Sequence, residues 1–304
     1  VEESSYRQEL TGGEKKKESA GELVKGASVL RRRFGRVYVR VNHPISVREA
    51  LTAVKGNFRD QPDDVRKDFL KRLASHVTAE IQDVTVVTPS TVAATVLLTH
   101  DQLGITRAVF FRRASFLTRL LQARGAPFSD AWHFPEDALS EAASMFAEAR
   151  LVEVVPAEDH EQDIFSIAQD ASKRITLDYY KNNILFHFVP AAFLCTALSL
   201  GEEGGDAEPL STVRRRMDFL LRLFDQEFFF HPDLPREHLL AEAGRLLTAE
   251  GIVGIHFAGN VTSPGGLAPV DLDSAARPTG DRSTDELWDL AGEPLAADVT
   301  VTLL

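Results

Sequence analysis

Leu139-Ser140-Glu141-Ala142 opens a stretch that runs through Arg150-Leu151-Val152, and it aligns without gaps on Leu240-Ala241-Glu242-Ala243 through Gly251-Ile252-Val253. In each copy an amphipathic helix passes into a short apolar strand. Asp163-Ile164-Phe165-Ser166-Ile167 can return beside the first strand. A helix followed by a two-stranded wing is the winged-helix arrangement. Leu, Glu and Ala recur in any helix, so a duplicated unit and a coincidence both remain open at this point.

Around these copies the pattern is mainly helical. Apolar periodicity predicts helices over 63–82, 89–100, 105–124, 136–150, 174–199, 211–227 and 235–250. Pro89 opens the second of them, where its missing N–H is harmless. Residues 1–30 are helical at both ends around a Thr11-Gly12-Gly13 break, and 20–33 place Leu23, Val24, Ala27 and Leu30 on one face. Arg36-Val37-Tyr38-Val39-Arg40-Val41 alternates as a strand does, and Asn42-His43-Pro44 stops it. Ser46, with Glu49 three residues on, makes a capping box for the next helix. A single alternating strand forms no sheet alone. Residues 1–55 therefore look like the end of an α/β domain. Residues 63–200 and 201–304 follow as two helical segments, the second with a loop-rich tail over 258–286 and a short strand at Val299-Thr300-Val301. The expected fold class is mainly α, with the tail of an α/β domain at the front and winged-helix-like repeats as an open reading.

Charge is unevenly spread. Residues 1–60 carry 13 Lys/Arg against 8 Asp/Glu, and the rest carry 21 against 37. The basic front can meet an anion or an anionic lipid surface. The acidic remainder argues against a nucleic-acid partner. One cysteine, Cys195, excludes an internal disulfide framework. No local Cys/His spacing of the metal-ligand kind is present, so the sequence predicts no metal site. The opening at Val1 shows no charged-then-apolar leader and looks like a boundary inside a longer chain. The uncharged stretch from Asn182 to Gly201 is polar over its first third, which favours a buried or interfacial helix over a spanning one.

The residues that can meet a ligand sit at the front. Lys15, Lys16 and Lys17 beside the glycine turn can pair with phosphate, or simply lie in a solvated loop. Arg31, Arg32 and Arg33 either face lipid headgroups or end a helix favourably. His187, in an apolar helix, is a proton shuttle or a core histidine. Cys195 on the same helix is a small apolar residue. Phe228-Phe229-Phe230 is a packing plug or a membrane anchor.

Four segments in order carry a family resemblance. Glu9-Leu10, Gly12, Lys15, Lys17 and Glu18 form the first, and Gly35, Val37, Val39 and Pro44 the second. Val87-Thr88-Pro89-Ser90 with Ala93-Ala94 and Leu97-Leu98 is the third. Leu177-Asp178-Tyr179-Tyr180-Lys181-Asn182-Asn183 leading into Leu185-Phe186-His187-Phe188-Val189 is the fourth. Together they resemble the region that follows the acyltransferase core in glycerol-3-phosphate acyltransferases of the membrane-bound bacterial type, with dihydroxyacetone-phosphate acyltransferases as relatives. Where that family often has Phe-Gly before the proline, this chain has Val41-Asn42-His43.

The resemblance implies an enzyme moving an acyl group from acyl-ACP or acyl-CoA, as co-substrate and with no bound cofactor, to the sn-1 hydroxyl of glycerol 3-phosphate in phospholipid synthesis. It implies a membrane-associated protein at the cytoplasmic face of the inner membrane, contacting anionic lipid and acyl carrier protein. Lys15, Lys17, Arg31, Arg32 and Arg33 become phosphate or headgroup contacts. Gly12, Glu18, Gly35, Pro44, Tyr180 and Asn182 become structural motif positions. The chemistry of that family needs a His with an Asp five positions later, acting as general base on the acceptor hydroxyl. None of the nine histidines has it; His133 has Asp137 at +4 and His160 has Asp163 at +3. The expected catalytic block therefore lies upstream, and this chain alone is expected to be inert. The competing reading is a non-enzymatic helical module of winged-helix character that binds another protein.

Overall fold

A computed structural model describes residues 36–168, 170–201, 207–257 and 299–303. The chain is mainly α. The helices expected over 1–33 and the loop over 258–286 lie outside the described residues.

The chain separates into two compact units. In the first, α3 (Pro89–Thr99) is followed by β1 (Gly104–Thr106), α4 (Arg107–Ala123), α5 (Pro135–Glu148), β2 (Val152–Val155), β3 (Ile164–Ile167) and α6 (Ala171–Asn182). The three strands form an antiparallel sheet in the order β1-β3-β2, with Gly104 opposite Ser166 and Val152 opposite Ile167. A Cβ on Gly104 would sit 2.7 Å from Ile164 Cγ2, so a glycine lets β1 close on β3. The second unit takes in α1 (Val47–Leu51), α2 (Asp63–Val84) and the C-terminal end of α4. Then come α7 (Val189–Ser199), β4 (Glu208–Pro209), α8 (Leu210–Leu223), α9 (Arg236–Ala249), β5 (Val253–Phe257) and β6 (Val299–Leu303). Its sheet has the order β4-β6-β5, again antiparallel.

Helix, strand, helix, helix, strand, strand, with the last strand in the middle of the sheet, is the winged-helix order, and it occurs twice. The copies correspond at one constant offset over three elements, pairing Pro89 with Pro190, Leu139 with Leu240 and Val152 with Val253. Burial follows the same offset. Leu139, Ala142, Ala143 and Phe146 are buried on α5, and Leu240, Ala243 and Leu247 on α9. This spacing is one face of a helix. The first core holds Val92, Val96, Phe110, Phe146 and Leu177, all fully buried. The second holds Leu194, Val213, Met217, Ala243 and Val301. The duplication left open by the sequence is real.

Local chemistry explains most boundaries. Thr88 caps α3 reciprocally with Thr91, each side chain accepting from the other's backbone N–H at 3.4 and 3.2 Å. Ser46 Oγ accepts from Glu49 N at 3.2 Å, although the helix it starts is only five residues long. Both wing helices end with the same pair of reverse bonds. Arg150 N donates to Ala147 O and Leu151 N to Phe146 O; Gly251 N donates to Thr248 O and Ile252 N to Leu247 O.

Two expectations need correction. The single helix expected over 174–199 is broken: α6 stops at Asn182, a short 3-10 turn covers Leu185–His187, and α7 restarts at Val189. Pro190 in a helix interior would remove an N–H and strike the carbonyl four residues before it; in the first turn of α7 it does neither. The strand expected at Arg36–Val41 is extended chain with no ladder partner among the described residues.

Candidate functional site

The extended segment 36–41 is held by one carboxylate. Asp130, in the 3-10 turn Asp130–His133, accepts from Tyr38 Oη at 2.6 Å and from the Arg36 guanidinium. The Tyr38 hydroxyl, ahead of the Arg36 charge, holds the Asp130 carboxyl below the usual carboxylate range. Tyr38 thus faces the protein, and Val37, Val39 and Val41 face out, at 85%, 81% and 90% exposure. Alternation puts i, i+2 and i+4 on one side. Three alternating valines on an open face are an apolar surface, on a backbone with no ladder partner among the described residues.

The motif at Tyr179–Asn183 is a helix end. Asn183 Nδ2 donates to Tyr179 O at 2.9 Å, Lys181 Nζ meets Asp178 at 2.7 Å, and the Tyr180 ring lies 5.3 Å from Phe146. Asn182 closes α6, and Pro44 is exposed beyond the extended segment. Lys15, Lys17, Arg31, Arg32, Arg33, Gly12, Glu18 and Gly35 lie outside the described residues.

His187 is a buried core histidine. Its ring packs on Phe186 at 4.1 Å between centroids. Burial first, and the Arg124 charge second, lower its pKa to about 4. Its Nε2 finds no hydrogen-bond partner among the described residues. A group this acidic is neutral at pH 7 and a weak base, so it suits packing better than proton abstraction. Arg124 itself is largely buried and lies 3.4 Å from Glu242. The contact is ionic without hydrogen-bond alignment, which reconciles it with Nη1 having no hydrogen-bond partner. Burial pushes the Arg124 pKa down, while Glu242 and Asp83 hold it up.

The two near-miss His/Asp spacings are local features: His133 ends a 3-10 turn and Asp137 lies in the first turn of α5, while His160 and Asp163 share the wing loop. His133 Nδ1 contacts Asp130 O. His160 Nδ1 lies 3.1 Å from Asp163 Oδ2 in the wing loop, where Asp163 also accepts from Ala157 N at 2.8 Å. The Ala157 N–H, then His160, lowers the Asp163 pKa. Phe228 and Phe230 pack on the second core, the plug reading of that run. No helix among the described residues is long and apolar enough to cross a membrane.

Sequence reasoning missed Asp130, the Arg124–Glu242 pair and a histidine pair, His76 with His231, whose rings lie 4.7 Å apart. Each joins residues far apart in the chain, for which spacing carries no signal.

A doubled winged-helix-like module, with an extended apolar segment before it and no assembled acyl-transfer residues among the described ones, is the class of protein these features define. The chain belongs to the family described as the glycerol-3-phosphate acyltransferase C-terminal region, whose model matches residues 6–284. It is 28% identical over 263 residues to the glycerol-3-phosphate acyltransferase of Shewanella halifaxensis, covering 83% of this chain and 31% of that protein. The enzyme of the same name from Shewanella amazonensis is 29% identical over 210 residues, covering 67% and 25%. That from Pseudomonas putida is 27% identical over 202 residues, covering 64% and 24%. The chain thus spans about a third or less of the length of these curated relatives.

Proposed function

We propose that this chain is the C-terminal part of an enzyme that transfers an acyl group from acyl-ACP or acyl-CoA to the sn-1 hydroxyl of glycerol 3-phosphate. The His-x4-Asp block that deprotonates the hydroxyl lies upstream of it. Residues 1–55 close the catalytic α/β domain, and the two helical segments pack beyond it. Lys15, Lys17 and Arg31–Arg33 meet phosphate or anionic headgroups. The protein works peripherally at the cytoplasmic face of the inner membrane, with acyl carrier protein as a docking donor.

One observation carries this reading: the Val37, Val39 and Val41 face is exposed on an extended backbone whose other side is anchored by Tyr38. An apolar face and an open edge of this kind suit addition to a sheet. Family membership makes the catalytic sheet of the same protein the natural recipient.

The test is acyl transfer to glycerol 3-phosphate by the full-length protein carrying Val37→Thr, Val39→Asp and Val41→Thr, beside the 304-residue chain alone. The variant is expected to lose at least tenfold in activity, and the isolated chain to have none. Transfer by the isolated chain would overturn the upstream placement of the chemistry. Wild-type activity in the variant would overturn the docking role.

The winged-helix topology favours a second reading, a module that binds another macromolecule. Nucleic acid is the poorer partner. In a DNA-bound winged helix the third helix enters the major groove. In the first copy that helix, α5, exposes Glu136, Asp137, Glu141 and Glu148 and carries no Lys or Arg, and in the second, α9 offsets Arg236 and Arg245 with Glu237 and Glu242. A protein partner that survives removal of the upstream sequence, found in a pull-down from cells, would favour this reading.

A further inference from the structure

The second unit brings together side chains that nothing in the acyl-transfer reading uses. His76 and Glu80 lie one turn apart on α2, so both project from one face. His231 and Asp233 come from the loop after α8. There Leu234 N donates to His231 O at 3.0 Å, closing a turn with Pro232 at its second position. Proline fixes the backbone there and presents the residues on either side of it. One ligand atom each from His76, His231 and Asp233 lies within 4.8 Å of the other two. Glu80 Oε1 is 3.4 Å from His76 Nε2 and 4.0 Å from His231 Nε2.

We propose that His76, His231, Asp233 and Glu80 form a binding site for a zinc-class divalent cation. Two imidazoles with carboxylate support are a borderline-soft donor set, suited to Zn²⁺ and unsuited to Mg²⁺, which demands oxygen ligands. Tetrahedral bonds to such ligands separate neighbouring donor atoms by about 3.4 Å. The His76–Glu80 separation already has that value, and the His76, His231 and Asp233 donor atoms, within 4.8 Å of one another, close on an ion by side-chain movement. All four side chains are partly solvent-exposed, which gives the ion an entry path.

The outer shell supports the same reading. Glu80 Oε2 accepts from Asn42 Nδ2 at 2.6 Å, leaving Oε1 turned toward the histidines. Asp233 Oδ1 accepts from Arg72 at 2.7 Å, leaving the second oxygen for the ion. A donor behind each ligating carboxylate is the usual second shell of a metal site. Asp83, one turn on from Glu80 in α2, is pushed above the usual carboxylate range, by burial first and by Glu80 second. His231 Nδ1 accepts from Asp233 N at 3.3 Å, so Nε2 carries the proton in the neutral ring. Loading moves that proton to Nδ1 and gives up one long hydrogen bond, with no net release from the ring.

The intact 304-residue chain is titrated with Zn²⁺, and with Mg²⁺ as the hard-cation control, by calorimetry. Co²⁺ replaces Zn²⁺ for a visible spectrum. One Zn²⁺ per chain is expected, with tetrahedral Co²⁺ absorption that Zn²⁺ removes, and no Mg²⁺ response. His76→Gln and His231→Gln should each weaken Zn²⁺ at least tenfold, and Asn42→Ala about tenfold through Glu80. His160→Gln, at an exposed histidine remote in sequence, should change nothing. Circular dichroism of each variant separates lost binding from lost folding. If His231→Gln misfolds, Asp233→Asn with the Co²⁺ spectrum decides. Absence of stoichiometric Zn²⁺ binding, or equal binding by the folded His76 and His231 variants, overturns the site.

Discussion

Arg150 and Gly251 occupy the same position in the two winged-helix copies, each in a left-handed conformation, with φ of 57° and 71°. Each donates its N–H back into the helix that it ends, to Ala147 O at 2.9 Å and to Thr248 O at 3.0 Å. The position demands a positive φ, which glycine adopts freely and arginine does not. Arg150→Gly is therefore expected to stabilise the chain by roughly 0.5–1 kcal/mol, and Gly251→Ala to destabilise it by about 1 kcal/mol. Denaturant midpoints at constant slope check both; unchanged midpoints in both variants would mean that the turn carries no strain.

Burial of His187 makes stability depend on pH in a definite direction. Its folded pKa, about 4, lies below the unfolded value of 6.5. Between those values the unfolded chain binds a proton that the folded chain refuses, so stability rises with pH across the window. The contribution is full above about pH 6.5, falls as pH drops toward 4, and amounts to about 3 kcal/mol at most. His187→Phe keeps an aromatic ring beside Phe186 and should flatten this part of the curve. Urea unfolding at pH 4.5 and 7 measures it; an unchanged slope in the variant would assign the pH dependence elsewhere.

Helical periodicity made the long helices legible, and the gapless match of Leu139–Val152 to Leu240–Val253 already held the duplication. What escaped was set by contacts rather than by pattern. β1 is three residues long and starts with Gly104, too short to alternate. Pro190 was legible as a break only with the caps around it: Asn183, the turn at Leu185–His187 and the core that buries Val189. Val37, Val39 and Val41 alternate as a strand should, yet alternation states a preference for pairing and cannot supply the partner. Site residues were less legible still. Asp130 meets Tyr38, and His76 meets His231, only after the chain has folded.

Arg124 and Glu242 give a third measurable outcome. The pair is mostly shielded from water, and the guanidinium has Asp83 as a second anion in its field. Removing the carboxylate leaves a buried cation undercompensated, so Glu242→Gln should cost about 2–3 kcal/mol. Replacing both groups with apolar ones, Arg124→Met with Glu242→Leu, should cost less than the two single changes added together. Arg124→Met alone should raise the Asp83 pKa further, since Arg124 is one of the charges holding it down. A double-mutant cycle by denaturant unfolding reads the coupling; additive single effects would show that the two charges do not interact across their 3.4 Å separation.

Asp130 links the anchored side of the extended segment to the face it presents. Its carboxyl is held low chiefly by the Tyr38 hydroxyl, then by Arg36. A depressed carboxylate stabilises the contact above its unfolded pKa and loses that contribution as pH falls through the folded value. Tyr38→Phe should move the Asp130 titration, followed by carboxyl-carbon NMR, back toward the ordinary aspartate range. Asp130→Ala should release both Tyr38 and Arg36 and speed amide exchange across residues 37–41, leaving the helices of the first unit protected. In the full-length enzyme proposed above, the same change should lower acyl transfer less than the valine substitutions do, because the apolar face itself is intact. A variant whose segment exchanges as slowly as wild type would show that Asp130 does not anchor it.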